Sequence, residues 1–148
     1  MEPEEIIEIF RRVIADLERQ REARLQDYRE KARVCAGKPV DVAWGGCGLD
    51  HQGRVAGGSS GADSIRMVPG YTLPVERSLF VHELSHICLK HSVASGEDHT
   101  KSVRDFLNSL PPESRSGVQA RIERKELEAH EFAKRLLPVL FPGERYVL

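Results

Sequence analysis

The segment VHELSHICLKH, residues 81–91, constrains the fold of this chain more than any other feature. It carries two histidines four residues apart, His82 and His86, with Glu83 directly after the first. Apolar residues recur around this triplet at helical spacing, so the sequence predicts a helix over PVERSLFVHELSHICLKH. At about 100° per residue, the two histidines lie only about 40° apart around that helix, one turn along. Their imidazoles can therefore converge on one zinc ion.

Glu83 suits a different task from the histidines. It lies about 60° around the helix from His86, too far round for a third ligand but near enough to hold a water. Zinc lowers the pKa of water, and a nearby carboxylate can accept the proton, as hydrolysis requires. The alternative is that both histidines form the polar edge of an ordinary core helix and bind no metal.

A third ligand is expected from the last predicted helix, RSGVQARIERKELEAHEFAKRLL. Glu126 lies about 20° from Ala133, inside the apolar stripe of that helix. A carboxylate on a buried face is costly unless it is paired or binds a metal. We therefore favour Glu126 as the ligand, with a salt bridge at the helix edge as the alternative. Helix phase alone does not separate it from Glu128.

His91 is a further histidine in the same segment. On a continuous helix it lies about 180° from His82 and faces away from the metal. We therefore expect it to be a residue of the helix C-terminus, near the negative end of the dipole, and not a ligand.

SLFVHELSHICLKH and the later ELEAHEFAKRLLP together resemble the ImmA/IrrE group of metallopeptidase domains, and also the gluzincin arrangement. The likeness covers roughly residues 64–138. The family pattern has Asn or Asp at position 130, where this chain has histidine. The resemblance implies a Zn²⁺ metallopeptidase with three metal ligands, a general base and a residue that orients a ligand histidine. The implied metal ligands are His82, His86 and Glu126. The implied general base is Glu83, and the residue that orients a ligand histidine is His130.

The resemblance also carries expectations about the substrate. It implies a protein or peptide substrate, such as an intracellular regulatory protein. This substrate is expected to add as a strand to the sheet edge formed by SIRMV, residues 64–68. Tyr71, which follows that strand, is the candidate oxyanion donor, with a half-buried turn tyrosine as the alternative. The two motifs lie farther apart than in the family, which predicts an insertion at residues 92–117, a lid or a partner-binding element.

The order of predicted elements indicates one α+β domain over residues 1–148. A long N-terminal helix occupies 1–36, strands and a glycine-rich loop occupy 37–72, and a metal-binding helical part occupies 73–148. The sheet is expected to be small and mostly antiparallel. The charged second half of the first helix is expected to be a solvated or partly docked arm. Its first half carries an apolar stripe at helical spacing, formed by Ile6, Ile9, Phe10, Val13, Ile14 and Leu17.

Composition excludes several classes of protein. The net charge of −1, the acidic start and the absence of a long apolar run predict a cytoplasmic protein without nucleic-acid or membrane partners. The three cysteines, Cys35, Cys47 and Cys88, have no CxxC spacing, which argues against disulfides and a cysteine zinc site.

Two questions stay open at this point. The glycine-rich loop at 45–61 or the N-terminal helix is hypothesised to cover the cleft, with Cys47 as a minor candidate for a fourth ligand. The alternative function is a zinc-binding regulatory or interaction protein of the same fold with weak or no catalysis. The sequence does not predict the oligomeric state.

Overall fold

The structure is a computed structural model, and it describes residues 1–91 and 102–148. The predicted α+β class and the long N-terminal helix are confirmed. Residues 92–101 of the predicted insertion lie outside the described residues. In the described ranges the elements are α1 (Pro3–Ala36), β1 (Asp41–Trp44), β2 (Gly58–Ser60), β3 (Ser64–Met67), α2 (Leu73–Cys88), α3 (Val103–Ser109) and α4 (Pro112–Leu140).

The three strands form a mixed sheet in the order β1-β3-β2. β1 runs parallel to β3, with Val42 opposite Ile65, and β2 runs antiparallel to β3, with Gly58 opposite Met67. The expectation of a mostly antiparallel sheet is therefore wrong. So is the expectation that SIRMV forms the sheet edge, because β3 is the central strand. A strand's own residues report which of its faces is buried, but not how many neighbours it has.

α2 is the central helix of the fold and contacts α1, α4, β2 and β3. Every residue from Phe80 to Ile87 is buried, because neighbouring elements cover the helix all round. The core around it combines residues of α1, the sheet, α2 and α4. The polar residues of the motif in α2 are therefore almost fully buried by the packing of this helix.

α1 packs against this core through its second half, although that half is rich in charged residues. The buried residues of α1 are Leu25, Tyr28 and Ala32. Arg24 Nε donates to Glu76 Oε2 of α2 across 2.9 Å, and the hydroxyl of Tyr28 donates to the same carboxylate. Of the two predicted alternatives the partly docked second half is confirmed and the solvated one is wrong, because three well-spaced side chains suffice to bury one face among many charges. The apolar first half is exposed instead.

Within the part of the chain that the structure describes, no helix combines the length and the hydrophobicity that a membrane span requires.

Candidate metal centre

α2 presents the side chains of the HExxH motif on one face. His82, Glu83 and His86 are each 7 % exposed. One potential ligand atom from each of the three lies within 4.8 Å of the other two. The helical spacing of the motif thus brings these groups together in the way that the sequence predicts.

α4 adds Glu126 to this cluster. Its carboxylate lies 2.9 Å from His82 Nε2 through Oε2 and 3.1 Å from His86 Nε2 through Oε1. The two Nε2 atoms are 3.2 Å apart. Ligand atoms about 2.1 Å from a tetrahedral zinc ion stand roughly 3.4 Å apart. The donor set and its spacing therefore fit a zinc ion with small adjustments of the side chains.

The electrostatics of the cluster also favour a cation. Burial by itself raises the pKa of Glu126, but hydrogen bonds with His82 and His86 outweigh it and hold that pKa well below its usual range. Burial lowers the pKa of His86, yet its hydrogen bond to Glu126 and the charge of Glu83 leave that pKa above its ordinary value. The ionised carboxylate thus draws positive charge to the point where the three groups meet.

His91 contacts the motif directly, so the expectation that it faces away is wrong. α2 ends at Cys88, and Lys90 adopts a left-handed conformation with φ 58°. This turn brings His91 Nδ1 to 2.8 Å from His86 Nδ1. The other nitrogen, His91 Nε2, lies 2.9 Å from Glu128 Oε2. Glu128 is therefore joined to His91, whereas Glu126 is joined to the two motif histidines.

These contacts define a hydrogen-bond chain behind His86. When His86 Nε2 serves as a ligand, its Nδ1 carries the hydrogen and donates to His91 Nδ1. His91 Nε2–H then donates to the Glu128 carboxylate. Such outer contacts fix the tautomer and the orientation of a ligand ring.

A second chain holds His82, and it runs through Tyr146. The Tyr146 hydroxyl lies 3.1 Å from His82 Nδ1 and 2.6 Å from His130 Nδ1. Burial, together with the charges of Glu126 and Glu83, raises the pKa of Tyr146, so the phenol keeps its proton. Burial and the charge of His82 lower the pKa of His130, which suits it to accept from that phenol. His130 is therefore linked to His82 by two hydrogen bonds that share the hydroxyl of Tyr146.

Tyr146 is the residue in contact with the motif that the sequence does not predict. It lies in the irregular tail after α4, where no motif or periodicity marks it. Two contacts fix that tail on α2. Val147 N donates to Ser78 Oγ across 3.1 Å, and Arg77 forms an ion pair with Glu144. Only the tertiary structure brings this tyrosine to the motif.

The cluster opens into a cavity of about 620 Å³. The glycine-rich loop, β2, α2, α3 and α4 all contribute residues to its lining. Among the described residues, none of those lining the cavity belongs to α1. Residues of the loop at 45–61 thus line the cavity and no described residue of α1 does, while the covering of the cleft by the loop stays a hypothesis. Apolar lining residues beside the cluster include Leu49, Val103, Phe106 and Ile122.

β2 is the strand beside the motif, and it approaches Glu83 closely. A Cβ added at Gly58 would lie 3.0 Å from Glu83 Cγ and 3.5 Å from its Cδ. The absence of a side chain at this position leaves room for the carboxylate. Tyr71 is 45 % exposed and is not among the residues lining the cavity, so the structure does not bring it into the cluster.

Cys47 lines the cavity, but its thiol is engaged elsewhere. Its Sγ donates to the carbonyl oxygen of Arg66 across 3.6 Å. Burial, and then the charge of Glu83, raises the pKa of Cys47 to about 11. A neutral thiol is a poor metal ligand, because metals bind the thiolate.

No protein family, curated protein or solved structure matches this chain.

Proposed function

We propose that this protein is a zinc-dependent metallopeptidase whose metal is held by His82, His86 and Glu126. One observation carries the proposal: two Nε2 atoms from α2 and a carboxylate from α4 converge within 2.9–3.2 Å. Three protein ligands beside an open cavity are typical of catalytic zinc sites, since structural zinc sites are closed by four. The likeness of the two motifs to ImmA/IrrE domains is retained as part of this proposal.

Each residue of the cluster has a task in peptide hydrolysis. Zinc, when bound, supplies the Lewis acidity that polarises a carbonyl and lowers the pKa of water. Glu83 accepts the proton of the attacking water and then delivers it to the nitrogen of the leaving amine. The chain through His91 and the chain through Tyr146 keep the two ligand rings in place.

The cavity supports a peptide substrate. Its volume of about 620 Å³ accommodates a few residues of an extended chain, and the motif residues lie in its lining. Apolar side chains such as Val103 and Phe106 lie beside the cluster and suit an apolar substrate side chain. The resemblance adds a regulatory protein as the substrate class.

Metal content tests the ligand set. We expect elemental analysis to find one zinc per chain in the wild type. His86→Ala and Glu126→Gln should each lose the metal or bind it much more weakly. Glu131→Gln is the matched control, since Glu131 lies exposed on the same helix and pairs with Lys134. A wild-type chain that holds no zinc even after zinc is supplied would contradict the proposal.

Hydrolysis tests the role of Glu83 separately. A mixture of random-sequence peptides serves as substrate, and mass spectrometry reads the products. We expect Glu83→Gln to keep its zinc and to lose cleavage by at least a hundredfold, because a general base contributes about that much or more. A chain that binds zinc but shows no Glu83-dependent cleavage would instead support the zinc-binding regulatory protein.

A further inference from the structure

The first half of α1 carries an exposed apolar surface that the metal site does not use. Its large apolar side chains are 41–61 % exposed. They recur at helical spacing and share one side of the helix. A continuous exposed apolar surface of this kind marks an interaction site. We call this surface the α1 stripe; it consists of Ile6, Ile7, Ile9, Phe10, Val13, Ile14 and Leu17.

The α1 stripe is not covered by the described part of the chain. The buried residues of α1 begin at Leu25, and the contacts with α2 and β1 involve the second half of the helix, through Arg24, Tyr28 and Arg29. Residues 1–14 and 16–20 are all exposed. Amphipathic helices owe most of their stability to packing of the apolar face. We therefore expect this segment to pack against a partner.

The charges that surround the stripe favour a second copy of this chain as that partner. Residues 2–8 contain four glutamates and no basic residue, whereas residues 19–24 contain three arginines and one glutamate. An antiparallel pair sets the acidic end of each helix beside the basic end of the other. A parallel pair sets four glutamates against four glutamates, which is unfavourable. Opposed helix dipoles favour the antiparallel arrangement as well.

We propose that residues 2–21 of α1 pair antiparallel with the same segment of a second copy and form a dimer. Centring the pair between Arg11 and Arg12 sets Ile6 opposite Leu17 of the other copy and Phe10 opposite its Val13. The same register sets Ile7 near Ile14. Each apolar layer of one stripe thus meets an apolar layer of the other, as packed antiparallel helices require.

The length of the exposed segment fits this register. In it, residue 2 of one helix reaches residue 21 of the other, and the buried part of α1 begins just beyond, at Leu25. The overlap is about 30 Å long at 1.5 Å per residue. Two copies can therefore pair along the stripe before the bodies of the two chains meet. The proposal is independent of the metal site, whose cavity lies on other elements.

Sedimentation velocity of the full chain between about 1 and 100 µM tests the dimer. We expect the mass to rise from 16.7 kDa towards twice that value. Phe10→Gln combined with Val13→Gln should raise the dissociation constant at least tenfold. Val34→Gln is the control: Val34 is 65 % exposed on the same helix outside the stripe, and this variant should dimerise like the wild type.

Circular dichroism on each variant separates a lost contact from a lost helix. A wild-type chain that stays monomeric up to 100 µM would overturn the proposal. An equal effect of Val34→Gln would also overturn it, because the contact would then not lie on the stripe.

Charge reversal tests the direction of the helices. Glu2→Lys with Glu4→Lys turns the acidic end of each helix basic and sets it level with the basic end, residues 19–24, of the other copy in an antiparallel pair, so we expect several-fold weaker association at low ionic strength. Adding Arg19→Glu and Arg21→Glu to the same chain should restore it. In a parallel pair the first double variant only exchanges one like-charge contact for another. An unchanged dissociation constant would therefore overturn the antiparallel arrangement.

Discussion

His91 and Glu128 hold the ring of His86 from the side opposite the ligand cluster. His91 Nδ1 lies 2.8 Å from His86 Nδ1, and His91 Nε2 lies 2.9 Å from Glu128. We expect His91→Ala and Glu128→Gln to weaken zinc binding by about 10- to 100-fold, because outer partners of a ligand histidine have effects of that size. Competition with a chromophoric chelator measures the affinity.

The stoichiometry distinguishes this supporting role from ligation. Both variants should still reach one zinc per chain at saturation, and Glu131→Gln should match the wild type. A His91→Ala chain that loses its zinc as completely as His86→Ala would contradict the supporting role, and so would an affinity equal to that of the wild type.

Cys47 lines the cavity, but its thiol donates to the carbonyl oxygen of Arg66, and burial raises the pKa of that thiol. With a pKa raised to about 11, roughly one thiol in a thousand is ionised at pH 8. We therefore expect Cys47→Ser to keep the zinc content and the zinc affinity of the wild type. Elemental analysis and the same chelator competition measure both. A clear drop in zinc affinity would show that the thiolate does reach the metal.

At the scale of elements, β2 and α2 meet where Gly58 faces Glu83. A methyl group at position 58 would lie 3.0 Å from Glu83 Cγ, so the carboxylate has to move. We expect Gly58→Ala to lower peptide hydrolysis at least tenfold while zinc remains bound. Gly46→Ala is the matched control, because a Cβ there meets nothing within 4 Å. Equal hydrolysis by the two variants would show that the space at Gly58 is not needed for the position of Glu83.

The parts of the site that lie on regular helices could be predicted from the sequence. Helical spacing places His82, Glu83 and His86 on one face of α2, and the apolar stripe of α4 orients Glu126 towards the core. Both inferences use only the period of the helix, which a short sequence reports well. The proximity of these four side chains in the structure agrees with that spacing.

The parts that depend on chain reversals and on tertiary contacts could not be predicted. His91 approaches His86 because Lys90 leaves the helical conformation, and Tyr146 arrives from a tail that no local pattern marks. The order of the strands and the choice of the packed half of α1 are likewise settled by neighbours distant in sequence. Periodicity identifies an apolar face, but it does not say what covers that face.

At the scale of the whole molecule, Glu76 connects α1 to the central helix. Its side chain is 4 % exposed and accepts hydrogen bonds from Arg24 and Tyr28. Removing one member of a buried charged group leaves the others without compensation. We expect Glu76→Ala to lower the free energy of unfolding by about 3 kcal/mol. Urea denaturation measures the change, and Glu18→Ala on the exposed part of α1 should alter it by less than about 0.5 kcal/mol.

Zinc should also stabilise the whole fold, because its three ligands join α2 to α4. A ligand that binds only the folded chain adds about 2.7 kcal/mol at one hundred times its dissociation constant. For a chain of 148 residues each kcal/mol shifts the melting temperature by roughly 3–4 °C. We therefore expect saturating zinc to raise the melting temperature by about 8–10 °C and EDTA to reverse the rise.

Scanning calorimetry of His86→Ala under the same conditions provides the control, since a chain without the site should melt at the same temperature with zinc and with EDTA. An equal shift in that variant would assign the stabilisation to metal bound elsewhere. No shift in the wild type, at a zinc concentration that gives one bound ion per chain, would mean that the unfolded chain binds zinc as tightly as the folded one. The convergence of α2 and α4 would then not be a preformed site.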